Sequence, residues 1–201
     1  VHHNVIEHLP DQARNPMGRR YMLEGSTALL QLLQEFGVRL VFTGHLHVQD
    51  IAQHQSVYEI TTGSLVSYPH PYRVLRFRQD TQGHQQLQIE SHRVIAIPEQ
   101  PDLQALSREW MGDRSLPFMI RLLTQPPLNL SDALAEELAP ALRYFWADIA
   151  GGDATFHFPQ LPPLVEQYFK RFGAIDGQGK PNPIDNQFTL QLKPLPILET
   201  L

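Results

Sequence analysis

Two histidines separated by one residue, in Thr43-Gly44-His45-Leu46-His47, stand directly after a short apolar run. On an extended segment, residues i and i+2 project to the same side, so both imidazoles can point over the end of that run. That is where α/β proteins place their sites, and Gly44 lets the backbone turn and pass close to a bound group. A surface turn carrying two solvated histidines is the other reading of the segment taken alone. The chain has 10 histidines, and His2, His3 and His8 crowd into its opening, where Val1-His2-His3-Asn4 presents a histidine at what reads as the end of another apolar strand. There is no cysteine. A disulfide framework, a zinc knuckle and a thiol nucleophile are therefore excluded, and any metal must be held by nitrogen and oxygen ligands.

Taken together, His2-His3-Asn4, Gly44-His45-Leu46-His47 and the later Thr62-Gly63-Ser64, followed by Tyr68-Pro69-His70-Pro71-Tyr72-Arg73, resemble the calcineurin-like metallophosphoesterase family, particularly its bacterial phosphodiesterase members. The resemblance covers residues 1–97. That family orders its metal ligands as Asp-x-His, Gly-Asp-x-x-Asp, Gly-Asn-His-Asp/Glu, a strand ending in histidine, and Gly-His-x-His. The last two elements match here in the right order. The first three are missing: there is no Asp-x-His, and Gly112-Asp113 and Gly152-Asp153 lie downstream and lack the second aspartate. The economical expectation is that this is the C-terminal part of a longer protein, cut just before His2 and inactive by itself.

By resemblance, His2 and His45 bind one metal of a dinuclear centre and His47 binds the other, each as neutral imidazole. The implied cofactors are two divalent ions, Mn, Fe or Zn. Ions roughly 3.5–4 Å apart polarise a phosphoryl oxygen and generate hydroxide for in-line attack. No catalytic residue is assigned within this chain. His3 reads either as a neighbour supporting the ligands or as a packed or solvated ring. Asn4 reads as an orienting amide for a ligand or phosphate, or as a turn amide. Arg19 and Arg20 could donate to a substrate phosphate, or form an exposed basic pair. His70 and Tyr72, stiffened by Pro69 and Pro71, could line the cleft or pack within their loop. Glu7 and His8 are expected to face solvent, and His54, His84, His92 and His157 to be structural.

These residues must be positioned by an alternating first half. Leu29, Leu30, Leu32, Leu33 and Phe36 recur at helical spacing over 22–36, with Gly37 as a stop, and a buried strand follows over 38–43. Period-two runs over 57–61, 72–78, 86–89 and 93–97 predict strands with an antiparallel part, turned at Asp80-Thr81-Gln82-Gly83. Arg73, Arg76 and Arg78 are expected on one solvated face. Beyond residue 98 short helices are expected over 102–111 and 116–124, with a longer one from the Ser131 N-cap to 149, kinked or split at Pro140. Another helix follows over 164–172, and a strand over 187–192. Trp110, Tyr144, Phe145 and Trp146 are expected in the helical core.

The expected fold is therefore α/β (α+β). Residues 1–98 form the second half of a four-layer metallophosphoesterase αββα sandwich, and 99–201 a mainly helical C-terminal module. The 201 residues carry 16 basic and 21 acidic side chains, a net charge of −5. That balance argues against a nucleic-acid partner, and no apolar run approaches the roughly 20 residues of a membrane span. The resemblance implies a small phosphoester substrate, first a cyclic-nucleotide-like phosphodiester. Alternatives are a nucleic-acid-end nuclease of the same superfamily and a non-catalytic interaction or lid module, with homo-oligomer formation through the helices.

Overall fold

Gly37, at φ 69°, ends the first long helix by taking the left-handed conformation that a side chain disfavours. In the computed structural model, which describes residues 1–192, this helix is α2 (Ser26–Glu35), preceded by the single turn α1 (Pro16–Arg19). The chain then enters β1 (Leu40–Thr43), β2 (Asp50–His54) and β3 (Val57–Thr61). Their spatial order is β1-β3-β2, with β1 parallel and β2 antiparallel to β3. A second sheet, β4 (Pro71–Gln79), β5 (Gln85–Arg93) and β6 (Gln187–Leu192), is antiparallel in that order. The turn between β4 and β5 is the expected one, with Asp80 Oδ1 accepting from the Gln82 and His84 amides.

Apolar faces explain the layering. Leu29, Leu30 and Leu33 of α2 pack on Val5, Ile6, Val41 and Val57, covering one face of the first sheet. On its other face Ile51 and Ile60 meet Leu87, Ile89, Leu190 and Leu192 of the second sheet. Helix, sheet and sheet thus form three successive layers, an arrangement of the α+β class.

The intervening segment is helical: α3 (Leu103–Thr124), α4 (Asp132–Leu138), a 3-10 turn (Ala139–Leu142), α5 (Phe145–Ala150) and α6 (Pro163–Lys170). Ser131 caps α4, its hydroxyl accepting from the Leu134 amide. Proline at position 140 stands in the 3-10 turn that separates α4 from α5. The core here gathers Phe145, Phe156 and Phe169 with Met119, Leu123 and Leu142, and also takes in Leu46 and Val48 from the histidine segment. Among the described residues, no helix is long and apolar enough to cross a membrane.

Several local expectations are corrected. Residues 102–111 and 116–124 belong to one helix, α3, which continues through Pro117. The predicted strand over 93–97 does not form: β5 itself runs on to Arg93, and Ile97 makes only an isolated bridge to Gln100. Trp110 is 61% exposed instead of core, whereas Phe145 is buried and Trp146 packs at the edge of the core. Arg73 cannot share a face with Arg76 and Arg78 because it stands an odd number of residues from Arg76 and Arg78's neighbours alternate. It turns inward, and its Nη2 donates to the Asp185 carbonyl oxygen at 2.8 Å.

Candidate histidine site

Strand β1 delivers Thr43 and Gly44 to the edge of the first sheet, where the opening residues run alongside. The Gly44 amide donates to His2 O at 3.2 Å, and the Val1 nitrogen donates to Phe42 O at 3.3 Å. This pairing brings His2 and His3 to the His45 turn. The His2 and His45 ring centroids are 4.5 Å apart, His3 and His45 are 4.3 Å apart, and His2 and His3 are 5.6 Å apart.

The turn itself departs from the extended geometry expected of His-x-His. His45 and His47 have φ 52° and 60°, both left-handed, with Leu46 between them. Such backbone conformations are unfavourable for residues with a Cβ and persist where packing over-determines them. The packing is visible: Leu46 and Val48 are both 1% exposed and anchor in the helical core. The two histidines are brought to the surface by the inward pull on their apolar neighbours, and not by the pleat of a strand.

Burial, followed by the neighbouring charges of His3, His2, His47 and Arg20, holds His45 below the usual imidazole range. Burial and then His2 lower His47. Both are thereby biased to the neutral form that ligates metals. This donor chemistry fits a metal in part: imidazoles from two distant stretches converge. Among the described residues, however, no group of three or more His, Cys, Asp or Glu side chains is arranged to hold an ion.

Beneath the rings lies a buried polar network that the sequence did not announce. Glu59 of β3 is fully buried. Its Oε1 accepts from Thr43 Oγ1 at 2.6 Å and Asn4 Nδ2 at 3.0 Å, and its Oε2 accepts from the Val5 and Ile6 amides. Asn4 also accepts from Gln12 Nε2 at 3.2 Å. Asn4 is thus fully buried and serves as an amide that locks the strand end. His8, expected in solvent, has a side chain with 0% exposure. Its Nδ1 meets Asp50 Oδ2 at 2.5 Å, and its Nε2 stands 3.2 Å from Glu59 Oε1, in ion-pair range though poorly aligned for a hydrogen bond. Burial alone would depress His8; the Asp50 and Glu59 carboxylates outweigh it and hold the imidazole up to about 9. Burial would likewise raise Glu59, but His8, Thr43 and the Ile6 amide keep it below the usual carboxylate range.

The remaining candidates divide. The Asn4 amide donates to Tyr21 O and the Leu23 amide to Asn4 O, each at 2.8 Å, so the Arg20-Tyr21 turn is tied to the histidine segment. The Tyr21 ring lies 5.1 Å from that of His45. Arg20 lies over the Tyr21 ring at 4.7 Å and donates to its hydroxyl. Arg19 is exposed at the end of α1. His70 is buried, with Nδ1 3.0 Å from Leu65 O, and Tyr72 stacks on His92 at 5.4 Å. His70 thus contacts its own loop, and Tyr72 the neighbouring strand β5. His84 and His157 are held by Asp80 and Glu166. No protein-family model and no curated protein matches this chain.

Proposed function

We propose that the His2, His45 and His47 group is part of the metal centre of a phosphoesterase, built as half of a layered αββα sandwich. The observation that carries the proposal is the convergence, at one sheet edge, of imidazoles from opposite ends of a helix-strand unit, two of which, His45 and His47, are held below the usual imidazole range by burial and neighbouring charge. The stacking of α2, the first sheet and the second sheet is the layering expected of such a half. A divalent ion bound here supplies Lewis-acid polarisation of a phosphoryl oxygen.

What this chain's own residues do follows from their placement. His2 and His45 present ring nitrogens from neighbouring chain segments, and His47 presents another from the far side of Leu46. His3 packs on His45 and restricts its ring. Asn4, Thr43 and Glu59 fix the backbone that carries His2 and His3, so the histidines stand on a rigid base. Arg20 brings a positive charge to the rim, where a phosphate oxygen could be held. The carboxylate ligands of a dinuclear centre are not among the residues beside this group, so a complete centre draws them from additional polypeptide. The substrate class proposed is a small phosphodiester.

The test is a Zn²⁺ titration followed by calorimetry, on the protein and on His45→Ala and His47→Ala. These side chains are partly or fully exposed, so circular dichroism should be unchanged. We expect Zn²⁺ binding by the parent and at least tenfold weaker binding by each variant. Parent-like affinity in both variants would refute the ligand assignment.

A further inference from the structure

Next to the histidine group, a groove of about 180 Å³ runs between the Arg20-Tyr21 turn and the helical segment. Arg114 and Phe118 of α3 line it from one helix face, as i and i+4, and Trp146 of α5 closes it. The Phe118 and Trp146 rings are 5.3 Å apart and give it an aromatic wall. Tyr21 belongs to both features, since it lines the groove and also meets His45.

Arg108, Arg143 and Arg171 each pair with carboxylates: Arg108 with Asp148, Arg143 with Glu109 and Asp113, and Arg171 with Asp11. Arg20 and Arg114, which both line the groove, have no carboxylate partner among the described residues. In a chain with an acidic excess, two guanidinium groups that no carboxylate neutralises, beside an aromatic slot, complement an anion attached to a flat ring. Pockets that enclose a whole drug-sized ligand run from about 300 Å³ upward. This groove has room for a ring system alone, which leaves the attached phosphate outside it, on the side of Tyr21 and the histidines.

We infer that the groove is a subsite for the planar aromatic group of a phosphoester, so that the helical segment contributes substrate recognition to the histidine site. Only the direction assigned to the phosphate rests on the phosphoesterase reading. Arg114 closes on the anion from the helical side, Tyr21 and Trp146 hold the ring, and Arg20 spans groove and rim.

The chain has two tryptophans, and Trp110 is not among the groove's lining residues. A Trp110→Phe variant therefore leaves Trp146 as the sole fluorescent reporter. Titrated in chelator with adenosine 5′-monophosphate or phenyl phosphate, it should show saturable quenching by at least one of them. Ribose 5-phosphate should bind at least tenfold more weakly, and adding Arg114→Gln, an exposed position, should weaken the aromatic ligand at least tenfold. Absence of saturable quenching by both aromatic phosphates would overturn the inference, as would equal quenching by ribose 5-phosphate or no effect of Arg114→Gln. The readout uses neither metal nor turnover, so it succeeds or fails separately from the Zn²⁺ titration.

Discussion

His8 shows how much a single side chain can be determined by its surroundings. Between two carboxylates and out of water, it takes up its proton with a folded-state value of about 9 against an ordinary 6.5. Between those values the native state binds more protons than the unfolded chain, so the stability it contributes is complete below pH 6.5 and is lost as pH rises through 9. A shift of this size is worth about 3 kcal/mol. Asp185 acts in the same sense at lower pH: burial, reinforced by the Asp50 charge, raises it to about 8, so its proton too is held by the fold. Urea unfolding should therefore show stability falling between pH 6.5 and 9, and His8→Gln should flatten that limb. A parent-like slope in the variant would show that His8 does not hold the proton. The histidine pair at 45 and 47 was legible in the sequence because its type and spacing were local. Glu59 was legible in principle, since Val57, Glu59 and Thr61 alternate onto one face and a carboxylate among them must be paired or costly. His8 was not, because its partners come from β2 and β3.

At the scale of elements, the strand over 57–61 and that over 187–192 could be read directly from their period of two, and both form at those residues. Where the reading failed, packing overruled a local signal. Two short helices are expected over 102–111 and 116–124, yet α3 runs unbroken for 22 residues, through Pro117, with Met119, Leu122 and Leu123 beyond the proline buried in the helical core. β2 escaped notice since only Ile51 among its five residues is buried. An interior proline removes a hydrogen bond to the residue four earlier and crowds its carbonyl. Pro117 is exposed, so Pro117→Ala should stabilise the protein by about 1–3 kcal/mol in chemical denaturation. A loss of stability would mean that the core beyond Pro117 depends on the bend it imposes.

The whole molecule is held together where the helical segment meets the sheets. Gly152 follows α5 at φ 69°, and a Cβ there would stand 2.7 Å from Gln49 O and 2.9 Å from Asp185 Cβ. Beside it, Asp153 accepts from the Asp185 and Asn186 amides, while Asp185 accepts from the Asp153 amide. Gly152→Ala should cost more than about 2 kcal/mol, combining backbone strain with the overlap. Gly177→Ala, where an added Cβ meets nothing within 4 Å, should change stability by less than about 0.5 kcal/mol. Equal effects would show that this junction carries no special constraint. The division at residue 98, drawn from composition, is crossed by β6, which returns from the end of the helical segment to pair with β5. That return has a consequence for synthesis. On the ribosome, β5 emerges roughly a hundred residues ahead of the strand that covers it, and closing so long a loop delays pairing. Until then Leu87 and Ile89 lie on an open strand edge of the kind that recruits other chains. The helices between, formed from local contacts, are the part able to fold during that wait, and completion of the second sheet is the step that a chaperone would have to protect.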